Sequence, residues 1–465
     1  MIGVKREKKA FRPENGLKKI HLLGAGGAGM SALGRVLLDL GFKVSGCDIK
    51  PSSVLEALLA RGAEVSVGHD PGHLRDISLL VYSSAVAPDN PELVAARKKI
   101  PVWHRSELLA MLMAGKSSVA VAGSHGKTST AAMIVSILEE AGMNPGFALG
   151  GDMINLETNG RWGAGEWFVA EADESDGSFQ RLRPDWEVIT GMDLDHVDRY
   201  PDRSSLLSVF GSFLAAAGGG GGGVIAWAGD RGVVELAPAG VAVLTYGLGG
   251  SARLRGIETL FAAGGAAFTV VKDGKKLGRV RLPLPGCHNV INALGAMAFA
   301  LEIGVPFAAC RRALAGHSGC RRRLEIKSRR NGVAVFEDYS HHPAEIRAAL
   351  HALRSLRPGR LWCVFQPHRF SRLARFAPQM ALALMEADRL ILTELYPAFE
   401  KPLPGVDSEM LLRELQSRGR KDAVLAAPSR ALEMVRAGLR PGDTVVVMGA
   451  GDIGVLARRL AEDSP

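Results

Sequence analysis

The sequence predicts an α/β protein of three domains, because 465 residues exceed what one hydrophobic core serves and three segments each open on a short apolar strand followed by strand-helix alternation. The openings are Ile20-His21-Leu22-Leu23, the stretch beginning at Val119, and Val333-Ala334-Val335-Phe336. Such alternation is the mark of parallel sheets covered by helices. Apolar residues make up 47% and charged residues 23%, as in a soluble globular chain, and no apolar run is long enough to cross a bilayer. Lys5, Arg6, Lys8 and Lys9 near the amino end have no apolar segment behind them, so no secretory signal and no membrane insertion are expected, and a cytoplasmic home is. The five cysteines, Cys47, Cys287, Cys310, Cys320 and Cys363, are odd in number and without close pairs, which argues against a disulfide framework and against a zinc site. The net charge of +9 is spread along the chain apart from clusters at 5–12 and 311–330, and no aromatics interleave with the second cluster. An anionic small molecule therefore fits better than a nucleic acid partner.

The first domain is expected over residues 1–115 and is Rossmann-like. Gly24-Ala25-Gly26-Gly27-Ala28-Gly29 follows the first strand and opens a helix, and Asp48 ends the next strand 19 residues later. These glycines let a diphosphate approach the backbone, and Asp48 is placed to hold a ribose. A nicotinamide or flavin dinucleotide satisfies that pattern, and so does a nucleotide-sugar diphosphate such as a UDP group. Ala114-Gly115-Lys116-Ser117 reads as the linker to the second domain.

The central domain, 116–317, is P-loop ATPase-like with a parallel sheet. Its strand Ala120-Val121-Ala122 runs through Gly123-Ser124-His125-Gly126 into Lys127-Thr128-Ser129 and a helix. Inward-turned N–H groups, a helix N-terminus, the Lys127 ammonium and the Thr128 hydroxyl make a cradle for a nucleotide triphosphate with magnesium. Val121 stands where the full motif has its first glycine, so this is a shortened relative of that loop. After Trp167-Phe168-Val169-Ala170 comes Glu171-Ala172-Asp173-Glu174-Ser175-Asp176, four carboxylates in six residues. Such a cluster repels itself unless a cation sits there; magnesium with Thr128 is one reading and a solvated acidic loop the other. The strand Glu187-Val188-Ile189-Thr190 leads to Asp193-Leu194-Asp195-His196-Val197-Asp198, where His196 is either structural or a metal or phosphate contact. Gly218 to Gly223 reads as a loop unable to hold a helix or packed strand.

Gly316-His317-Ser318-Gly319-Cys320 reads as the second linker, and the third domain, 318–465, is again Rossmann-like. Two of its strands end in Glu337-Asp338-Tyr339-Ser340-His341-His342-Pro343 and Phe365-Gln366-Pro367-His368-Arg369-Phe370-Ser371-Arg372. Strand ends in one parallel sheet share a rim, so histidines and arginines converge there. Arginine forks bind carboxylates and histidine can orient or deprotonate an amine; a plain positive rim with helix caps is the alternative. Thr444 to Met448 is expected as a buried strand, followed by Gly449-Ala450-Gly451-Asp452-Ile453-Gly454 and a closing helix.

In this order the motifs resemble the Mur ligase family over nearly the whole chain: His21 to Met30, Gly123 to Thr128, Glu171 to Asp176, Pro285-Gly286-Cys287-His288-Asn289, Arg322-Arg323-Leu324, Asp338 to Pro343, Phe365 to Arg372 and Gly449 to Gly454. Carried over residue by residue, the resemblance implies that Gly26, Gly27, Ala28 and Gly29 hold a UDP diphosphate, with Asp48, His69, Ser83 and Ser84 near the uridine. It implies ATP at Gly123, Ser124, His125, Gly126, Lys127, Thr128 and Ser129, with Asn289, Arg322 and Asp338 at adenine, ribose or phosphate. Thr128, Glu171 and His196 would serve Mg2+, and Tyr339, His341, His368, Arg369 and Arg372 would receive an incoming amino acid. Lys127, Glu171, His196 and His341 would carry the catalysis. Leu324, Ser340 and Glu337 replace residues common in the family, phenylalanine, glycine and aspartate respectively. Family branches that add later residues use a carbamylated lysine, and this chain has no lysine between Lys127 and Lys272, which agrees with the alanine-adding branch. The implied reaction is ATP-dependent amide formation between UDP-N-acetylmuramate and L-alanine through an acyl phosphate, in peptidoglycan precursor synthesis, by a monomer or homodimer. Rival readings are a nicotinamide-dependent oxidoreductase, a P-loop switch on nucleic acid, and a ligase that attaches a whole tripeptide to the same nucleotide sugar.

Overall fold

A computed structural model of the chain describes residues 16–195, 199–217, 221–262, 264–398 and 400–462. His196, Val197 and Asp198, the basic cluster at 5–12, and Gly218 to Gly220 lie outside the described residues. Three sheets organise the rest. The first contains β1 (Lys19–Leu23), β2 (Lys43–Asp48), β3 (Glu64–Val67), β4 (Leu79–Tyr82) and β5 (Val102–His104), all parallel in the order β3-β2-β1-β4-β5. This is the doubly wound arrangement, with the order reversing beside β1, so the glycine loop after β1 lies at the switch point.

The central sheet takes β6 (Ser117–Ala122), β7 (Gly146–Met153), β8 (Thr158–Arg161), β9 (Trp167–Glu171), β10 (Trp186–Ile189), β11 (Gly223–Trp227), β12 (Ala242–Gly247), β13 (Leu254–Ala262), β14 (Gly265–Lys272) and β15 (Lys275–Leu282). Its order is β15-β14-β13-β12-β11-β10-β6-β9-β7-β8. The run from β13 to β7 is parallel, while β8, β14 and β15 pair antiparallel at the edges. Gly223, read from sequence as part of a loop, is the buried first residue of β11, where a side-chain carbon would lie 2.6 Å from Ala242 O. The third sheet holds β16 (Glu325–Arg330), β17 (Val333–Asp338), β18 (Leu361–Phe365), β19 (Arg389–Leu392), β20 (Val424–Leu425) and β21 (Thr444–Met448), ordered β16-β17-β21-β18-β19-β20. Only β16 is antiparallel, to β17. Its Lys327, Arg329 and Arg330 hide it from an apolar search, yet charge on an edge strand is what keeps that edge from pairing with other chains.

Helices bury one stripe each. In Ala28–Asp39, Met30, Leu33, Val36 and Leu37 recur at helical spacing and pack on Ile20, Leu22, Leu79 and Val81. Cys287–Glu302 lies against Lys127–Glu140 and is buried nearly all round, as its Ala-Leu-Gly-Ala-Met-Ala stretch permits. The first and central sheets are locked together. Arg35 Nη1 donates to Asp152 Oδ1 at 2.5 Å and Asn159 Oδ1 at 2.6 Å, Asn159 Nδ2 donates to Ala28 O at 2.8 Å, and Gly160 sits so close to Ala32 that a side-chain carbon there would lie 2.7 Å from its Cα. Lys116 donates to the carbonyls of Trp162, Gly163 and Gly165 at 2.8, 2.7 and 2.7 Å, and burial pulls its pKa down to about 8. The third unit joins through backbone pairing of its entry segment: Ile154 N to Gly319 O at 3.0 Å and Arg321 N to Asp152 O at 2.9 Å. Among the described residues no helix is long and apolar enough to cross a membrane, and all five cysteines are free.

One residue stands against the packing. Glu187 on β10 is fully buried, neither carboxylate oxygen has a hydrogen-bond partner, and burial raises its pKa from 4.5 to about 8. The folded state then keeps a proton that the unfolded chain releases, so this group lowers stability as pH climbs from 4.5 to about 8. Glu187→Gln is expected to stabilise the protein at pH 8 by at least about 1 kcal/mol more than at pH 5, read from denaturant midpoints.

Candidate functional site

The loop after β6 turns on Gly126, whose φ of +79° is left-handed and where a side-chain carbon would meet Asn292 Oδ1 at 2.5 Å. Helix Lys127–Glu140 starts there without any side-chain cap, leaving its first N–H groups directed at the loop's mouth. Ser124 Oγ donates to Asp193 O (2.6 Å) and accepts from Asp193 N (2.8 Å), and Thr190 Oγ1 donates to His125 O (2.5 Å), so the end of β10 fixes the loop from one side. Lys127 Nζ lies on Gly123 O at 2.6 Å and on Glu174 Oε2 at 2.8 Å. Burial opposes its charge, but Glu174, Asp173 and Glu171 outweigh burial and push its pKa up.

The acidic cluster is not an open set of metal ligands. Glu174 is buried against Lys127. Asp173 and Asp176 take Arg105 Nη2 at 3.1 and 2.8 Å, and burial is outweighed by that guanidinium so that both carboxyls titrate below their usual range. The cations that hold the cluster together are thus side chains, one from the phosphate loop and one from the first domain. Glu171 alone faces Thr128: Thr128 Oγ1 donates to Glu171 Oε1 at 3.0 Å, and Gly150 N donates to Oε2 at 2.6 Å. This hydroxyl-carboxylate pair beside the loop is the oxygen donor set that a magnesium ion on phosphates requires. His196 lies outside the described residues.

Next to the loop a cavity of about 460 Å³ opens between Gly126 and Ser129, Asn289 and Asn292 on helix Cys287–Glu302, and Arg323 and Asp338 of the third unit. Asn289 Nδ2 donates to Pro285 O at 2.8 Å. Asp338 accepts from Leu324 N at 2.7 Å and Ser340 N at 2.9 Å, and burial raises its pKa despite those bonds. Arg322 Nη2 donates to Gly449 O and Gly451 O at 2.8 and 2.9 Å, which ties the expected nucleotide contact to the closing glycine segment. His125 spans the joint: Nδ1 lies 3.0 Å from Glu345 of the third unit and Nε2 3.5 Å from Asp193.

On the rim of the third sheet the predicted residues do converge. His341 Nδ1 meets Tyr339 O at 3.0 Å, His341 and His368 rings are 5.7 Å apart, and His368 stacks on Tyr396. Arg372 is buried and already engaged, with Nε and Nη2 on Asp195 Oδ1 at 3.0 and 2.9 Å and Nη1 3.2 Å from His368 Nδ1. Asp195 belongs to the central unit, so this ion pair crosses the domain joint. Arg369 caps helix Phe370–Leu384 with φ +67°, a conformation costly for a residue with a side chain, and its N donates to Tyr396 O at 2.9 Å. Burial, with His341 and Arg372 adding, depresses the His368 pKa to about 2, so that ring is neutral at every physiological pH.

In the first unit Gly27 N-caps Ala28–Asp39 with no side-chain cap, and Asp48 Oδ2 accepts from Gly26 N at 2.9 Å, so Asp48 shapes the glycine loop itself. Ser83 Oγ accepts from Ala85 N at 3.3 Å. Ser84 bonds His104 Nε2 at 2.7 Å and also Asp176, so the first unit's loop meets the acidic cluster. His69 Nδ1 lies 3.3 Å from Cys47 Sγ. Arg105 and Glu345 stand in no motif, with only the helix start at Pro343 hinting at Glu345, and Arg323 lies in the Arg322-Arg323-Leu324 block but no role follows for it from sequence.

Comparison with known proteins agrees with this geometry. Residues 19–117 match the Mur ligase family catalytic domain, 121–300 the Mur ligase middle domain, and 322–451 the Mur ligase glutamate ligase domain. A UDP-N-acetylmuramate–L-alanine ligase of Solidesulfovibrio magneticus is 43% identical over 443 residues, covering 94% of this chain and 96% of that protein. The crystal structure of UDP-N-acetylmuramate-alanine ligase from Thermotoga maritima superposes with a TM-score of 0.83 at 28% identity, covering 96% and 99% of the two chains. A murein peptide ligase from Psychrobacter arcticus shares the fold, with a TM-score of 0.71 at 24% identity and coverage of 96% and 98%.

His125 gives the joint a pH signature. Burial alone would lower its pKa, but Asp193 and Glu345 raise it from 6.5 to about 10. Its stabilising charge is fully present below pH 6.5 and fades as pH rises toward 10. His125→Gln is expected to flatten the decline of melting temperature across that interval, measured by calorimetry at stepped pH. Three domain matches in unbroken order, laid over a phosphate loop, a two-carboxylate-deep joint and a converging histidine-arginine rim, leave one conclusion: this chain belongs to the Mur ligase family.

Proposed function

We propose that the chain joins the lactyl carboxylate of UDP-N-acetylmuramate to the amine of L-alanine with consumption of ATP. The carrying observation is that the loop holding Lys127 and Thr128 and the strand end beside it meet the third unit's rim directly, His125 with Glu345 at 3.0 Å and Asp195 with Arg372 at 2.9 Å and His341 at 3.7 Å. The full-length similarity to an alanine ligase supports the choice of substrates.

A carboxylate is a poor electrophile, so it must first exchange its charge for a leaving group. The cradle of Gly123 to Ser129 would hold the triphosphate, with its adenosine in the cavity lined by Asn289, Asn292 and Asp338. Lys127 would leave Glu174 to follow charge onto the transferring phosphoryl group as the lactyl oxygen attacks in line. Bound at Thr128 and Glu171, magnesium would supply positive charge to phosphate oxygens. The glycine loop at Gly26 to Gly29 would hold the sugar nucleotide's diphosphate against uncapped helix N–H groups. Deprotonated alanine would then attack the acyl carbon, and the tetrahedral adduct would expel phosphate. His341 and His368 would orient that amine, which gives its proton to solvent before attack because a His368 ring with a pKa of about 2 is too weak a base to take it, while Arg369 and Arg372 supply forks for its carboxylate. The third unit excludes water from the acyl phosphate, and Gly316 and Gly319 would carry the hinge.

The test is phosphate release from the full chain with ATP, magnesium, UDP-N-acetylmuramate and either L-alanine, glycine or the tripeptide. Release only with all components, and fastest with L-alanine, is expected; glycine should be poorer by about 10 to 200-fold, the worth of one methyl group. Preference for the tripeptide would reject the amine assignment, and release without any amine would reject ligation. Lys127→Ala should lower kcat by about 10²–10³-fold with sugar-nucleotide binding retained in calorimetry.

A further inference from the structure

We propose that His21, Cys47, His73 and Glu92 form a binding site for one zinc-class transition-metal ion in the first domain, beneath the glycine loop. Their donor atoms all lie within 4.8 Å of one another. Cys47 Sγ is 3.5 Å from His21 Nε2 and 3.1 Å from Glu92 Oε1, His73 Nδ1 is 3.1 Å from the same Oε1, and His21 Nε2 is 2.9 Å from Glu92 Oε2. Bond lengths of about 2.0–2.3 Å to zinc imply tetrahedral edges of about 3.3–3.6 Å, so a modest outward adjustment of these side chains makes room for the ion.

Burial and chemistry favour an ion over a mere polar cluster. His21, Cys47 and Glu92 are at most 1% exposed, and both Glu92 carboxylate oxygens are turned onto the cluster, Oε1 to Cys47 and His73 and Oε2 to His21. Thiol, imidazole and carboxylate together select zinc or a similar metal over magnesium, which prefers oxygen alone. An outer contact is in place as well: His21 Nδ1 meets Ser45 Oγ at 2.9 Å, which fixes that ring with Nε2 turned inward. His73, whose side chain is 25% exposed, and His69, 3.3 Å from the sulfur, stand at the solvent side and provide an entry path. The balance is simple. Cys47 now donates its thiol proton to Glu92; on binding, sulfur gives its electron pair to the metal and that proton passes to solvent.

The ligands come from β1, β2, the segment after β3 and the helix Pro91–Ala96, so the ion would cross-link four pieces of chain that meet only in the fold. It would also brace the loop above, because Cys47 O accepts from Gly24 N at 3.0 Å and Ala25 N at 2.9 Å. The site is independent of the ligase reading and is tested without turnover.

The full chain is stripped with chelator, dialysed, and titrated with Zn2+ against a chromophoric competitor, then with Co2+ under anaerobic conditions. Expected are one tightly bound ion per chain, a rise in melting temperature with Zn2+, and a thiolate-to-cobalt charge-transfer band in the near ultraviolet. Cys47→Ser should abolish the band, and His73→Gln, at the exposed edge, should weaken Zn2+ binding by at least about tenfold while leaving the fold's circular dichroism unchanged. Cys287→Ser, which alters the exposed cysteine, should keep both. Absence of the band in the unmodified chain, or binding that survives His73→Gln undiminished, overturns the site.

Discussion

Buried negative charge is the constraint around which this protein is arranged. Four carboxylates are gathered at the carboxyl end of β9, and a low-dielectric interior does not tolerate them unpaired. The chain meets the requirement with cations taken from separate domains: Lys127 from the phosphate loop and Arg105 from the amino-terminal unit. A second instance, Asp195 with Arg372, sits at the other joint. Lys127 with Glu174 neutralises charge inside the central unit, whereas Arg105 with Asp173 and Asp176 and Arg372 with Asp195 each neutralise charge and join two units by the same contact, so at those joints docking and charge pairing are one physical event.

That coupling explains which parts were legible in the sequence. The phosphate loop follows from local chain geometry: a left-handed turn at Gly126, a helix start and a lysine beside it leave their trace in consecutive residues. Alternating strands and helices likewise announce three parallel sheets. Partners do not. Glu171, Asp173, Glu174 and Asp176 look alike as letters, yet tertiary placement sends three of them to side-chain cations and leaves Glu171 to Thr128. Strand β16 escaped notice because its charges serve an edge, and Arg105 because it has no motif. Spacing of cysteines speaks only of close pairs; residues 21, 47, 73 and 92 meet through parallel pairing and a helix start, which no linear pattern encodes.

The two histidine-bearing joints differ in electrical character. At the phosphate loop His125 lies between two carboxylates and is held charged, whereas His342, only 4.8 Å away ring to ring, is driven to a pKa of about 4 by burial. On the rim, His368 is neutral for the same reason of burial, reinforced by neighbouring cations. Close imidazoles thus differ in charge: one clamps domains as a cation, and the others stay neutral and serve as hydrogen-bonding groups.

The interlock of Gly160 with Ala32, together with Arg35 on Asp152 and Asn159 and Asn159 on Ala28, makes the amino-terminal and central units a single block. The glycine loop after β1 and the loop after β6 are then a fixed length apart. With the ligands placed as proposed, an acid tethered to a nucleotide would reach the γ-phosphate only if its own span matched that length, so the block would act as a ruler for the sugar.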